Sequence, residues 1–491
     1  MDGKPKLSRQ MGLFAVVATG VSSMVGASIN VVPFMIHRSV SSIGPYVLWA
    51  FIFAAIPALF AGLAYAVLSS AMPRAGGSYL YASRGLNPYL GFVASFSQWF
   101  GLSIVIGVIA YISVPFLRDI AYSYEFFSLS KLLEVPWIRV SLSLSFIWGF
   151  VYVNIRGIKS YTNLLLPMVI VIFGLGSIVI LSSLFFDVDD FLIALDQKEG
   201  ISHVLPPQPA FNWYAFFSAA AVMFSSFIGF DAIAQTGSEA INPRRNLPLA
   251  ILIAIVGVGL FYFLFTAAVY SIIPWSFVAE QAQLKDITAP GLLSYVLPRG
   301  LDTLIILGAT VALINDLPAM LLSVSRLMFA WAKDGIMSKK FTIIHAKYKT
   351  PVVALVMAGI MSTIGVLGSN FAGDFFLGID IMVTSMLVNF LLMCITLVAI
   401  KRYNSELFKE IKILKKRSAQ LVVGWLGIFF LSCFLLIHLY KDLSSTVEAW
   451  YFHSTYVWLI VMGLASLVFL YQWNKLEHRT RKARFKKLPK E

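Results

Sequence analysis

Long apolar runs recur along this chain from residue 11 to residue 473, separated by short polar connections. Each run has about 20 residues or more, which is enough to cross the hydrocarbon core of a bilayer as one α-helix. The pattern therefore predicts an all-α polytopic membrane protein with twelve transmembrane helices. The predicted spans are residues 11–36, 44–71, 88–122, 137–155, 161–186, 213–241, 247–272, 301–332, 351–370, 376–399, 419–440 and 450–473.

The first span is interrupted at the depth of the membrane centre by small and hydrogen-bonding residues. Residues 22–30 read SSMVGASIN, where an ordinary spanning helix would carry Leu, Ile, Val and Phe. Backbone groups left open in hydrocarbon cost several kcal/mol each, unless they line a cavity or contact other protein. This stretch is therefore either a close helix-packing face or a break that binds a ligand.

The sixth span carries a second interruption of the same kind. Residues 224–239 read FSSFIGFDAIAQTGSE, with two glycines, three serines and two carboxylates inside an apolar run. Small-polar interruptions at corresponding places in two halves of a chain indicate a transporter built from inverted repeats. The second interruption lies five spans after the first, so the two halves would insert with opposite orientation. We predict a 5+5 inverted repeat with helices 1 and 6 unwound, followed by two accessory helices.

This scheme divides the chain into six regions. They are a cytoplasmic N-terminal arm (1–10), a first repeat of helices 1–5 (11–186), an extracellular loop (187–212), a second repeat of helices 6–10 (213–399), accessory helices 11 and 12 (400–473) and a basic cytoplasmic tail (474–491).

Composition and charge agree with a membrane protein. The chain is 59% hydrophobic and 13% charged, whereas soluble domains carry about 25% charged residues. The net charge of +14 is concentrated between Lys401 and Arg417 and in the tail, on the side that holds both termini. The positive-inside rule therefore predicts a cell-membrane protein with both termini in the cytoplasm. This distribution argues against a nucleic-acid partner.

Four stretches together resemble the amino acid–polyamine–organocation (APC) superfamily of amino acid permeases. The interruption of span 1 is similar to the family's glycine-rich motif, and residues 73–81 (PRAGGSYLY) resemble its P-x-x-G-G-x-Y element. Residues 228–248 resemble its span 6 signature, and residues 325–335 resemble its span 8 ending. The resemblance implies a leucine-transporter-like fold and transport by alternating access.

The resemblance also implies a substrate site between the two unwound helices. The carboxylate of an amino acid would meet backbone N–H groups of Gly26, Ala27 and Ser28, since the N-terminus of a half-helix attracts anions. The ammonium would meet carbonyl groups freed by the breaks, and nearby side chains would select the substrate. The residues expected at the ammonium are Met24, Ser225, Ser226 and Ile228, and those expected at the side chain are Ser23, Asn30 and Phe230.

Two positions in span 1 depart from the family pattern. Ser28 stands where a second glycine is usual, and Asn30 stands where Phe is common. Ser28 narrows the site and Asn30 offers a polar contact, so the expected substrate is a small or neutral, polar amino acid. Span 5 has no lysine, whereas some proton-coupled members of the family carry one there.

A possible ion site follows from the same resemblance. Asn315 and Asp316 fall about where sodium-coupled members of this fold place their helix 8 ligands, and the carbonyl groups of Ser22 and Val25 would complete the site. Such an oxygen cage suits a small hard cation. Two alternatives stay open: Asp316 binds a proton instead of Na⁺, or it only pairs with a neighbouring helix.

Two further carboxylates are candidates for coupling or gating. Asp231 follows the second break, where it would either cap freed N–H groups or act in proton sensing, as in some exchangers of the family. Glu239 lies near the inner mouth and is expected to form a gate pair with Arg156, Arg244 or another basic residue. Arg326 is expected to extend to the cytoplasmic interface.

The function favoured by these observations is secondary active transport of an amino acid, coupled to Na⁺ or H⁺. An amino acid or amine exchanger without ion coupling is the alternative, and a channel or a non-transporting membrane enzyme are the other classes considered. No G-x-S-x-G, H-E-x-x-H, CxxC or P-loop occurs in the sequence, so neither catalytic residues nor a cofactor beyond the coupling ion is expected. The expected partners are a small-molecule substrate and the lipid bilayer.

Overall fold

The structure, a computed structural model, describes residues 6–124, 126–200, 203–298, 300–372, 375–447, 449–476 and 485–489. Over these ranges the chain is helical, and the one β-contact is an isolated bridge between Met11 and Ala240. Within the described residues, eleven helices are long and apolar enough to cross a membrane, and Leu13–Met24 is a shorter apolar helix. The prediction of an all-α, twelve-helix membrane protein is confirmed.

The helices follow one another with short connections. In the first part of the chain they are α1 (Leu13–Met24), α2 (Ala27–Asn30), α3 (Val32–Ser39), α4 (Val47–Ala71), α5 (Gly77–Gly85), α6 (Pro88–Ser123), α7 (Phe127–Glu134), α8 (Pro136–Ile155), α9 (Ile158–Ser182) and α10 (Val188–Glu199). In the second part they are α11 (Trp213–Met223), α12 (Asp231–Gln235), α13 (Pro243–Ile272), α14 (Trp275–Leu284), α15 (Ala289–Leu293), α16 (Leu301–Asp334), α17 (Val352–Ala372), α18 (Phe375–Tyr403), α19 (Ser405–Lys409), α20 (Arg417–Ser444) and α21 (Ser454–Lys475). Single 3-10 turns occupy Ser41–Tyr46, Phe224–Phe227, Lys339–Thr342 and Trp450–Phe452.

Both predicted interruptions are breaks in the helices. Helix α1 ends at Met24, and the first span resumes as α2 only at Ala27. In the sixth span, α11 gives way to the turn Phe224–Phe227, and α12 begins at Asp231. Gly26, Ser225, Ser226 and Gly229 lie at the breaks. Glycine loses more backbone freedom in a helix than other residues, and serine can hydrogen-bond nearby backbone groups instead, so both favour a break. The inverted relation between the two halves and the six-region division of the chain stay predictions.

The start of the predicted extracellular loop is instead a helix. Asp187 caps α10, because its side chain accepts the N–H groups of Asp189 and Asp190, and Asp190 returns a contact to the Asp187 N–H. This reciprocal capping box explains the acidic run as a helix N-terminus. Parts of the predicted terminal regions, residues 1–5, 477–484 and 490–491, lie outside the described residues.

One end of the helix bundle contains a large open cavity, the vestibule. It has a volume of about 620 Å³ and lies between α3, α6, α8 and the chain that follows α14. Charged and polar side chains line it, among them Arg118, Asp119, Arg139, Lys285 and Asn370. Val31 and Val108 also line it, and the residues next to these, Val32 and Ile109, line the smaller cavity described below.

Candidate functional site: a cavity between two broken helices

The two breaks enclose a small cavity, which we call the central cavity. It has a volume of about 30 Å³, which is room for about two waters. Its lining residues are of two kinds: serine and aspartate side chains, and aliphatic or thioether side chains. The lining residues are Ser23, Ser28, Val32, Val105, Ile109, Ser225, Ile228, Asp316, Met320, Ile379 and Met382.

The two breaks touch each other directly. Gly229 has φ of +134°, and a Cβ atom there would lie 2.1 Å from the carbonyl oxygen of Ser23. Glycine alone tolerates both this backbone conformation and this close approach. The hydroxyl of Ser226 also donates a hydrogen bond of 3.4 Å to the carbonyl oxygen of Ser28. The unwound parts of the first and sixth spans therefore form one continuous site.

Asp316 reaches this site from α16. A Cβ atom on Gly26 would lie 1.8 Å from Oδ2 of Asp316, so the carboxylate rests against the backbone of the first break. Asp316 is 2% exposed, and its Oδ1 atom has no hydrogen-bond partner among the described residues. The amide of the adjacent Asn315 is buried and unpartnered in the same part of the chain.

Unpartnered polar atoms are unusual in a protein interior. Here they cluster, since the hydroxyl groups of Ser22, Ser23 and Ser225 are also buried without a partner among the residues described. Three of these atoms, on Ser23, Ser225 and Asp316, belong to side chains that line the central cavity. Such a cluster is what a site for a small polar ligand or ion requires.

The structure brings some of the predicted site residues together and separates others. Ser23, Ser28, Ser225 and Ile228 line the central cavity. The Met24 carbonyl oxygen already accepts a hydrogen bond from the hydroxyl of Tyr262, a partner that the sequence did not indicate.

Asn30 and Phe230 lie outside the lining of the central cavity. The amide of Asn30 donates to the Gly26 carbonyl oxygen at 3.4 Å. The ring of Phe230 is buried and stacks on Phe390, with ring centroids 4.9 Å apart. The roles assigned to these two side chains in substrate selection stay predictions.

A buried polar chain runs from the second break through four other helices. Gln98 donates to Oδ2 of Asp231 and accepts from the hydroxyl of Ser78. Tyr65 donates to Ser78 at 3.0 Å, and the amide of Asn389 donates to Tyr65 at 2.7 Å. Sequence reasoning missed Gln98, Tyr65 and Asn389, because each is a single polar residue in an apolar helix with no local motif.

Asp231 caps a backbone group of the break. Its Oδ1 atom accepts the N–H of Gly229 at 3.1 Å. The capped N–H therefore belongs to the break itself and not to the half-helix that follows. Asp231 is fully buried, and its Oδ2 atom accepts a hydrogen bond from Gln98. Both carboxylate oxygens therefore have a hydrogen-bond partner. The proton-sensing alternative stays open.

The end of the bundle away from the vestibule is closed by buried ion pairs. Glu239 pairs with Arg326 at 2.5 Å, and both side chains are 1% exposed. The basic partner of Glu239 is therefore Arg326, and not Arg156 or Arg244. Arg244 pairs with Glu410 at 2.8 Å, and Arg156 lies over the ring of Tyr152. The gating role of Glu239 stays a prediction.

The prediction that Arg326 extends to the interface is wrong. A charged side chain stays buried when its partner matches it in geometry and charge, and Glu239 meets this condition for Arg326. A second buried pair, Arg84 with Asp334 at 2.5 Å, lies at the same end of α16.

These features define the class of protein: a polytopic helical membrane protein whose two broken spans enclose a cavity, as in secondary transporters. The family model described as amino acid permease matches residues 11–464, and the chain belongs to this family. The resemblance to the APC superfamily is thereby confirmed. The chain is a membrane-embedded permease for small molecules, and not an enzyme.

Individual relatives have diverse substrates. The chain is 24% identical over 386 residues to the branched-chain amino acid permease BcaP of Bacillus subtilis, covering 74% of this chain and 75% of the relative. It is 25% identical over 394 residues to the low-affinity putrescine importer PlaP of Escherichia coli, covering 78% and 77%. It is 22% identical over 365 residues to a methylthioribose transporter of Bacillus subtilis, covering 72% and 74%. These relatives indicate transport and leave the substrate open.

Proposed function

We propose that the protein is a secondary active transporter that moves a neutral amino acid across the cell membrane by alternating access, coupled to Na⁺ or H⁺. The observation that carries this proposal is the contact between Asp316 and the backbone of Gly26. The resemblance implies that the substrate carboxylate would lie at the N–H groups of residues 26–28. Substrate and Asp316 would then bring two negative charges together in a site that water hardly enters.

Two carboxylates cannot both stay charged at such a distance without compensation. The substrate's own ammonium is expected at the carbonyl groups of the breaks and not between the two carboxylates. A cation that enters with the substrate would remove the repulsion, either as Na⁺ between the two groups or as a proton on Asp316. This requirement favours ion coupling over uncoupled exchange. A purely structural role for Asp316 has less support, because its Oδ1 atom lacks a partner among the described residues.

The two forms of coupling use the same residue differently. For Na⁺, Asp316 and the unpartnered Asn315 would supply side-chain oxygens, and the carbonyl groups of Ser22 and Val25 would add the backbone oxygens that this ion prefers. For H⁺, Asp316 alone would carry the proton. Both forms place the coupling step beside the first break.

The proposed topology assigns the two ends of the bundle. With both termini in the cytoplasm, the vestibule of about 620 Å³ opens to the outside. The buried pairs of Glu239 with Arg326 and of Arg84 with Asp334 close the cytoplasmic side. The open end of the bundle would thus face the outside, and the closed end would face the cytoplasm.

Uptake into proteoliposomes tests the proposal. Labelled amino acids are offered with an inward Na⁺ gradient, with an inward H⁺ gradient or with neither, to the wild type, to Asp316→Asn and to the control Asp196→Asn, whose carboxylate is exposed on α10. We expect one gradient to drive uptake in the wild type and the control, and neither gradient to act on Asp316→Asn.

Each other outcome is informative. Unchanged ion dependence in Asp316→Asn would overturn the coupling role of this residue. Uptake that requires internal amino acid and ignores both gradients would identify an exchanger. Transport of no amino acid or amine under any condition would overturn the proposed function.

A further inference from the structure

We infer that the substrate is a neutral amino acid with an aliphatic or thioether side chain, such as leucine, isoleucine, valine or methionine. The inference deepens the proposed function and rests on it. It is carried by two sets of side chains that line the central cavity: a polar set beside the two breaks, called the polar half, and an apolar set on α6, α16 and α18, called the apolar half. It differs from the expectation of a small or neutral, polar amino acid that Ser28 and Asn30 suggested.

The polar half matches the head group of an amino acid. It contains Ser23, Ser28, Ser225 and Asp316, all beside the two breaks. The hydroxyl groups of Ser23 and Ser225 and the Oδ1 atom of Asp316 have no partner in the described part of the chain. An ammonium group and a carboxylate, with the coupling cation, would provide partners for these atoms. We therefore expect the head group of the amino acid to bind in the polar half.

The apolar half receives the substrate side chain. Val105 and Ile109 lie one turn apart on α6, and Ile379 and Met382 lie one turn apart on α18, so each pair presents a single helix face. Met320 lies on α16 one turn after Asp316 and also lines the cavity. These five residues are each at most 7% exposed.

An aliphatic side chain gains affinity on this wall. Each methylene moved from water to hydrocarbon improves binding about fourfold. A polar side chain loses its hydrogen bonds to water and finds no replacement there. Within the lining, the one acid is Asp316 in the polar half, so the distal ammonium of lysine or of a diamine would lie against hydrocarbon without a counter-charge.

Two methionines in the apolar half allow the cavity to bind substrate side chains of more than one shape. Met320 and Met382 have unbranched, flexible side chains that adapt to differently shaped neighbours. The cavity of about 30 Å³ is smaller than a leucine side chain, so their rotation also provides the room that binding requires. Branched and straight aliphatic substrates are therefore both expected to bind.

Competition with labelled leucine in proteoliposomes tests the substrate class. Unlabelled valine, isoleucine and methionine should inhibit leucine uptake at concentrations at least about tenfold lower than serine, asparagine, lysine or putrescine, since two methylenes are worth about that factor. Each of the last four compounds is also offered in labelled form.

Variants of α6 test the location of the side chain. Ile109→Ala removes apolar wall from the central cavity, whereas Ile112→Ala removes it from the vestibule, one turn further along α6. We expect Ile109→Ala to raise the KM for leucine about tenfold relative to the KM for alanine, with Ile112→Ala leaving this ratio unchanged. The ratio is independent of how much protein is folded.

The possible failures are distinguishable. Uptake of serine, asparagine, lysine or putrescine that leucine does not inhibit would overturn the substrate class and leave the transport function standing. An unchanged leucine-to-alanine ratio in Ile109→Ala would overturn the assignment of the side chain to this wall. Uptake of none of the compounds would overturn the proposed function itself.

Discussion

The guanidinium group of Arg326 forms two hydrogen bonds, of 2.5 and 3.1 Å, to the carboxylate of Glu239. The carbonyl oxygen of Glu239 also accepts the N–H groups of Gln10 and Met11, at 2.9 and 3.0 Å. One residue thus joins α16, the end of the sixth span and the N-terminal segment. In the proposed cycle this end of the bundle must open, so the pair must break and re-form with each transport event.

Neutralising this pair is expected to destabilise the protein. Glu239→Gln leaves the buried charge of Arg326 uncompensated, which costs about 3–5 kcal/mol for a pair of this kind. We expect a lower unfolding temperature of the purified protein and a loss of uptake. The control is Glu410→Gln: this residue and Arg244 are 46% and 50% exposed, so the change should stay within about 1 kcal/mol. Equal effects of the two variants would contradict a gate at Glu239.

The sequence located the two breaks because their signal is local. Small and polar residues in an apolar run are visible without any knowledge of the neighbours, and residues 22–30 and 224–239 both contain a break. The contact between Gly26 and Asp316 agrees with the proximity expected from the resemblance. Local patterns and a family signature were therefore sufficient for the fold class and for the position of the two breaks.

The sequence could not supply the pairings between distant residues. Arg326 is 87 residues from Glu239, and Gln98 is 133 residues from Asp231. Each of these side chains had several candidate partners by charge or polarity, and only the packing of the helices selects one. The apolar wall of the central cavity was hidden for the same reason, since Val105 and Ile379 differ in no local way from lipid-facing residues.

Gly229 is expected to be essential to the second break. Gly229→Ala places a methyl group 2.1 Å from the Ser23 carbonyl oxygen at a backbone φ of +134°, so the two breaks must move apart. We expect loss of most uptake. Gly149→Ala is the control, because Gly149 lies in α8 with no atom within 4 Å of an added Cβ, and its uptake should match the wild type. Normal transport by Gly229→Ala would contradict the close contact of the breaks.

The described part of the C-terminal tail is expected to stay docked on the bundle. The ring of Phe485 is 8% exposed and lies 5.0 Å from the Arg84 guanidinium and 5.4 Å from the ring of Trp473. Burying a phenylalanine side chain is worth about 1.5–3 kcal/mol, so Phe485→Ala should speed tryptic cleavage after Lys486 about tenfold or more. Tyr471→Ala, which removes an exposed ring from α21, is the control. Equal cleavage rates in all three proteins would contradict docking.

Gln98 is expected to hold Asp231 in position beside the second break. Gln98→Leu leaves the Oδ2 atom of Asp231 and the hydroxyl of Ser78 without this partner, and a buried polar group that loses its partner costs about 1–3 kcal/mol. We expect a lower unfolding temperature and a fall in the maximal rate of uptake that exceeds any change in KM. Gln197→Leu, at an exposed position of α10, should leave both unchanged.

The conservative variant separates positioning from stability. Gln98→Asn keeps an amide but shortens the side chain by one methylene, so it cannot reach Asp231 and Ser78 together from the same backbone position. It should therefore lower the rate of uptake as Gln98→Leu does. A variant that transports normally while its unfolding temperature falls would show that Gln98 only stabilises the fold, and that the position of Asp231 does not depend on it.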